Sequence, residues 1–217
     1  MATQAKDGLT WSLVVPVKVL ALAKSRLTGL TGADRSRLAL AMAADTVAAA
    51  VQAAGVAAVL VVTDDREVAD TAAGLGAIVV PDVPAAGLNE AVSYGAGYAG
   101  ERWPDRGRAG LAGDLPAVRA TELTTALTAA AELGVAFVPD ADGTGTTLYA
   151  AVPGVTFRPR FGHGSARRHL ADGAAEVQHA NLAGLRRDVD TADDLRKAVA
   201  LGLGPRTNAV LKCARWG

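Results

Sequence analysis

Apolar residues in this chain come in short unbroken runs that alternate with longer stretches of helical spacing. Trp11–Val19 and Val56–Val62 are Val-rich and almost wholly apolar, and Ile78–Val80 is a shorter run of the same kind. A strand with no polar face is buried on both sides, as in a parallel sheet covered by helices. Between the first two runs, Asp34–Ala54 is rich in Ala, with Leu38, Met42, Val47 and Val51 at helical spacing and Gly55 as a stop. Arg66–Ala73 predicts a shorter helix before Gly74 and Gly76. The pattern resumes with predicted helices over Leu88–Tyr98 and Arg119–Leu133 and strands over Val135–Val138 and Thr146–Val152. A last helix is predicted over Thr191–Leu201, where Thr191 and Asp194 have capping-box spacing. Alternation of this kind predicts an α/β protein: a single-domain α/β/α sandwich with a mostly parallel central sheet. Residues 1–10 and the tail from 205 to 217 are expected to be flexible ends.

One stretch fits poorly. A fourth strand should precede Gly113-Asp114-Leu115-Pro116, but only Ala109–Ala112 is available, interrupted by Gly110. Trp103-Pro104 and three arginines stand where apolar residues are expected, so this strand should be short.

The composition narrows the class. The chain has 217 residues, 50% of them hydrophobic, which is ample for one core. Lys+Arg and Asp+Glu balance at 22 each, against the basic excess of a nucleic-acid binder. A single cysteine, Cys213, excludes an internal disulfide framework and a multi-cysteine metal site. There is no run of about 18 apolar residues, so no ordinary membrane span is expected. The N-terminal MATQAKDGLTW lacks the apolar core of a signal peptide, so a cytoplasmic protein is expected.

Ligands of open α/β sheets bind beyond the carboxyl ends of the strands, so the residues there matter most. Lys18, Lys24 and Arg26 follow the first run, Asp64 and Asp65 the second, and Asp114 the weak fourth strand. Asp140 and Asp142 follow the fifth, and Asp188-Val189-Asp190 lies near the end. Cations at one strand end with carboxylates at others suit a polyphosphate held beside a divalent metal ion. Solvated loop charge would explain the basic trio equally well. Asp114 could instead cap a helix near Val118, and one of Asp188 and Asp190 could cap the last helix. There is no P-loop motif. Gly95, Gly97 and Gly100 mimic a dinucleotide fingerprint but lie at a predicted helix end, where they read as helix breakers. Gly143-Thr144-Gly145-Thr146 is a small-residue loop whose N–H groups could approach a phosphate, or an ordinary hairpin turn. Arg158, Arg160, Arg167 and Arg168 form a second cationic stretch around Gly162 and Ser165, suited to carboxylate or phosphate. His163, His169 and His179 lack metal-ligand spacing and read as structural or surface residues, His163 being the likeliest exception.

Taken in order, Pro16-Val17-Lys18, Ala23-Lys24-Ser25-Arg26-Leu27, Leu88-Asn89, Gly113-Asp114-Leu115-Pro116, Gly143-Thr144-Gly145-Thr146, Arg160-Phe161-Gly162 with Ser165, and Asp188-Val189-Asp190-Thr191 with Asp194-Leu195 form a set. It resembles the phosphoenolpyruvate / 2-phospho-L-lactate guanylyltransferases of deazaflavin coenzyme F-420 biosynthesis, over roughly Trp11 to Gly204. The resemblance implies a GT-A-like nucleotidyltransferase domain that joins GMP from GTP to a phosphorylated three-carbon acid and releases pyrophosphate. It implies Mg²⁺ as cofactor and GTP and phosphoenolpyruvate as substrates, with neither nucleic acid nor membrane as partner and a homodimer left open. The phosphoenolpyruvate contacts would be Thr146, Gly162 and Ser165. The metal carboxylates would be Asp114 and Asp188, with Asp190 as the other candidate. Lys18, Lys24 and Arg26 would hold the GTP phosphates, Asn89 would lie near the guanine, and Lys24 would act in catalysis with Asp114 and Asp188. Heavy use of Ala, Arg and Gly suggests a GC-rich genome, which favours phosphoenolpyruvate over 2-phospho-L-lactate as acceptor. A cytidylyltransferase or molybdopterin guanylyltransferase would normally carry a glycine-rich loop after the first strand, and here no glycine follows before Gly29. A non-catalytic nucleotide-binding module has no need of Asp114 and Asp188.

Overall fold

The computed structural model describes residues 8–18, 27 and 31–214. Its elements run β1 (Trp11–Pro16), α1 (Gly32–Gln52), β2 (Val56–Val62), α2 (Arg66–Gly74), β3 (Ile78–Val80), α3 (Leu88–Arg102) and β4 (Gly107–Leu111). There follow α4 (Ala120–Leu133), β5 (Val135–Pro139), β6 (Thr146–Ala151), α5 (Ser165–Ala171), β7 (Ala175–Glu176), α6 (Ala192–Leu201) and α7 (Pro205–Ala214). The strands form a single sheet in the order β3-β2-β1-β4-β6-β5-β7. Only β6 runs against its neighbours β4 and β5; every other pairing is parallel.

Successive strand residues point to opposite faces, so one strand feeds two cores. Leu13, Val15, Val59 and Val61 pack with residues of α1, α2 and α4 on one face. Val14, Leu60 and Val62 pack with Ala91, Ala96 and Ala99 of α3 on the other. There, farther along the sheet, Phe137 and Tyr149 meet Phe161 and Ala166. This two-sided burial is what the unbroken apolar runs express, and it gives the expected layered sandwich.

The poorly fitting fourth strand is real and sits at the centre of the sheet. The glycines that disguise it are steric requirements. A Cβ at Gly107 would collide with the Trp11 ring, and one at Gly110 would lie 2.6 Å from Val92 Cγ1 and 3.0 Å from Phe161 Cε2. The Trp11 and Phe161 rings thus pack directly against this strand. The arginines around it are engaged by other parts of the chain: Arg106, just before the strand, stacks on Trp103 at 4.4 Å, and Arg108 donates to the Val155 carbonyl at 2.9 Å. Gly95 is likewise no helix breaker. It lies within α3, where a Cβ would come 2.6 Å from Val14 and 2.9 Å from Val62, so its absence lets the helix approach the sheet closely.

The expected loose tail is instead α7, docked against α1. The buried Asp45 carboxylate accepts from the Arg206 and Thr207 N–H groups at 3.2 and 2.8 Å and caps the helix from across the chain. Leu211 joins Leu38, Met42 and Leu195 in a small core of its own. Among the described residues, no helix is long and apolar enough to cross a membrane.

Candidate active site

The antiparallel course of β6 decides where the chemistry gathers. β1, β4 and β5 end at one edge of the sheet, and β6 begins there, because Thr146 pairs with Pro139 at the end of β5. A cavity of about 790 Å³ opens at this edge. Lys18, Asp114, Thr146, Gly162, Asp188 and Asp190, six of the expected site residues, all line it.

The turn carrying Asp114 is held on both sides. The Ala112 N–H donates to the Thr147 carbonyl at 2.8 Å, and the Leu115 N–H donates to the buried Thr46 hydroxyl at 3.1 Å. Asp114 is not a helix cap, since α4 starts after Arg119. Its own carbonyl accepts from the Val189 N–H at 3.2 Å, which draws Asp188 and Asp190 beside it. Neither of those aspartates caps α6 either. Thr191 is the cap, and the Asp194 carboxylate closes the box by accepting from the Thr191 N–H at 2.9 Å.

Carboxylates dominate the cavity. Asp140, Asp142 and Asp194 line it together with Asp114, Asp188 and Asp190, against Lys18 and Arg187 as the described cations. The result shows at Asp188. Burial first, then the charges of Asp114, Asp140 and Asp190, push its carboxyl up to about 7. Among the described residues, no three His, Cys, Asp or Glu side chains converge to hold a metal ion by themselves.

A second, uncharged corner adjoins the carboxylates. The Ser165 hydroxyl donates to Thr146 Oγ1 at 2.9 Å, and Thr146 Oγ1 lies 3.0 Å from His169 Nδ1. Ser165 and His169 are fully buried, and Thr146 faces the cavity. Gly162 lies beside them with φ +113°, a conformation that favours glycine.

Several expectations change here. The N–H groups of Thr144 and Gly145 are not offered to a ligand, because Asp140 accepts both at 2.9 and 2.8 Å and ties the β5–β6 loop. The second cationic stretch does not line the cavity. Arg160 pairs with Asp172 at 2.9 Å, and Arg168 donates to the His163 and Arg160 carbonyls at 2.7 and 3.0 Å. Both arginines build the loop that presents Gly162. Asn89 brackets the same loop, donating to the Phe161 carbonyl at 3.1 Å and accepting from its N–H at 2.7 Å. Its amide is thereby committed to backbone and is not turned to a base. Asp65 caps α2, and Asp64 accepts from the Asp82 N–H, both away from the cavity. Lys24 and Arg26 lie outside the described residues. Sequence reasoning missed Arg187, although it adjoins Asp188, and it missed the part played by His169.

A mixed sheet with helices on both faces and an acidic crevice at the strand ends defines a nucleotidyltransferase-like α/β protein. A nucleotidyl transferase from Methanothermobacter thermautotroptrophicus shares this fold, with a TM-score of 0.61 at 23% identity over 88% of this chain and 97% of that one. More narrowly, the chain belongs to the family described as guanylyl transferase CofC like, which matches residues 11–216. It is 56% identical over 202 residues to the phosphoenolpyruvate guanylyltransferase of Thermomonospora curvata, covering 93% of this chain and 89% of that protein. It is 50% identical over 216 residues to the phosphoenolpyruvate guanylyltransferase of Streptosporangium roseum, covering 100% of this chain and 97% of that one.

Proposed function

We propose that this protein is a phosphoenolpyruvate guanylyltransferase that joins GMP from GTP to the phosphate of phosphoenolpyruvate and releases pyrophosphate. The observation that carries the reading is one crevice with two chemically distinct corners. One is an aspartate cluster beside Lys18 and Arg187, and the other is the compact Thr146–Ser165 hydroxyl pair beside Gly162.

In the transfer, a phosphate oxygen of the acid forms a bond to the α-phosphorus of GTP as the bond to the β-phosphate oxygen breaks. The attacking oxygen is already ionised, so no protein nucleophile or general base is needed. The protein's work is alignment and charge neutralisation. Lys18 and Arg187 face the triphosphate, and Lys24 and Arg26 are proposed to complete that cationic rim. Thr146 donates a hydrogen bond to the acid, and the bare Gly162 backbone leaves room for it.

Six carboxylates in a phosphate-binding crevice repel the substrate unless a cation intervenes, and this donor chemistry fits Mg²⁺. Asp114 and Asp188 would hold it, with Asp190 as the alternative ligand, and oxygen donors outside the protein would be needed as well. Bound there, Mg²⁺ would supply charge neutralisation at the reacting phosphates.

The test is pyrophosphate release from GTP and Mg²⁺ with phosphoenolpyruvate or 2-phospho-L-lactate, with the product identified by mass. ATP and CTP serve as competing nucleotides. Product with GTP and phosphoenolpyruvate is expected. Faster turnover with 2-phospho-L-lactate would reassign the acceptor, and no transfer to either acid would refute the reading.

A further inference from the structure

His169 is fully buried, yet both of its ring nitrogens are engaged. Nε2 lies 2.9 Å from the Arg160 backbone N–H, which can only donate. Nε2 therefore accepts and carries no proton, so in the neutral ring the proton sits on Nδ1. Neutrality is itself enforced. Burial, then the charges of Arg168 and Arg160, hold the imidazole down to about 4, with Asp172 opposing. The ring is stacked on Tyr149 at 4.6 Å and flanked by Phe137 and Phe161, so it cannot turn to exchange its nitrogens.

The direction of the hydrogen bonds then follows by counting. His169 Nδ1–H donates to Thr146 Oγ1, and the Ser165 hydroxyl donates to the same oxygen. Both lone pairs of Thr146 Oγ1 are filled. Its own proton is left over, and Thr146 faces the cavity. If Thr146 donated to Ser165 instead, the Ser165 proton would be left inside a fully buried side chain with no acceptor.

We propose that His169 is a positioning residue that makes Thr146 an obligate hydrogen-bond donor, so that this corner selects an unprotonated anionic oxygen of the acceptor acid. A hydroxyl free to act as donor or acceptor would accommodate a ligand O–H equally well. One whose lone pairs are both occupied favours only an oxygen that accepts. This inference rests on the proposed acceptor reading and adds to it the discrimination of a fully ionised acid.

The experiment has two arms. In the first, ¹⁵N-histidine spectra of the wild-type protein should show His169 as the Nδ1–H tautomer, with its Nδ1 resonance shifting on addition of phosphoenolpyruvate but not of GTP. An Nε2–H tautomer, or no response to the acid, overturns the proposal without any substitution that could unfold the protein. In the second, steady-state constants are measured for His169→Gln, which keeps an acceptor for Arg160, and for His169→Asn, which keeps a donor near Nδ1. Loss of one ordering hydrogen bond should raise the phosphoenolpyruvate KM about tenfold in His169→Gln and leave the GTP KM unchanged, with His169→Asn closer to wild type. In a Thr146→Val background, His169→Gln should add nothing further to that KM. An equal rise in both KM values, or the same cost in the Thr146→Val background, would assign His169 a merely structural role. If wild-type protein transfers GMP to no acid at all, the acceptor reading has failed and the acid selection falls with it, while the tautomer arm still decides the direction of the hydrogen bonds at Thr146.

Discussion

Replacing Asp188 by asparagine should stabilise the metal-free protein while removing its activity. The Asp188 carboxyl is pushed from 3.8 to about 7 by burial and by Asp114, Asp140 and Asp190. The folded state therefore holds a proton more tightly than the unfolded chain, and stability falls as pH rises from about 4 to about 7. Above that window the whole penalty is present, and below it none is. Three units correspond to about 4 kcal/mol as a ceiling. The crevice opens to solvent, where screening weakens such repulsion, so a penalty of about 1–2 kcal/mol is expected. For a chain of 217 residues that equals a rise in Tm of about 2–8 °C for Asp188→Asn at pH 8. The measurement is calorimetry of both proteins in EDTA at pH 8 and pH 5. At pH 5 the advantage of the variant should be smaller than at pH 8, because only part of the titration window has been crossed. Added Mg²⁺ should raise the wild-type Tm and leave the variant nearly unmoved, and turnover in the variant should fall at least about a hundredfold. A variant no more stable than wild type at pH 8 would show that Asp188 is not destabilised by burial among like charges, and would remove the argument for a cation there.

Thr146→Val and Ser165→Ala should each raise the phosphoenolpyruvate KM about tenfold or more and leave the GTP KM in place; a loss of Tm with unchanged constants would make them turn and helix supports only. Asp45→Ala should cost about 1–2 kcal/mol in urea unfolding and expose 205–214 to limited proteolysis, with turnover unaffected, because it removes the cap of α7 and nothing in the crevice. His169 has a depressed folded pKa, so the unfolded chain binds the extra proton between about 4 and 6.5 and stability drops as pH falls through that range. The difference in unfolding free energy between wild type and His169→Gln should accordingly change by about 2–3 kcal/mol from pH 7 to pH 4, and a pH-independent difference would refute the neutral buried ring. Lys24→Ala should weaken GTP binding in calorimetric titration by about tenfold, as loss of a charge-assisted phosphate contact does, and unchanged affinity would return that loop to ordinary solvated charge.

Much of the architecture is legible in the sequence itself. Val56–Val62 and Ile78–Val80 match their strands at both ends, because a run buried on both faces has no other comfortable environment. Asp114, Asp188 and Asp190 could be chosen because the alternation of strand and helix already sends strand ends to one edge. What escaped the sequence depends on partners far away along the chain. Gly107 and Gly110 look like strand breakers until Trp11 and Phe161 lie on them. The last ten described residues look loose until Asp45, 162 positions earlier than Thr207, caps their helix. Arg160 and Arg168 carry the charge of anion binders, yet their nearest acceptors are Asp172 and the carbonyls of their own loop. His169 has no motif at all; its meaning comes from the Arg160 amide on one side and Thr146 on the other. Local periodicity and turn chemistry determine which elements form and which residues stand at their ends. Which donor meets which acceptor is decided only when packing brings together groups that the chain itself keeps far apart.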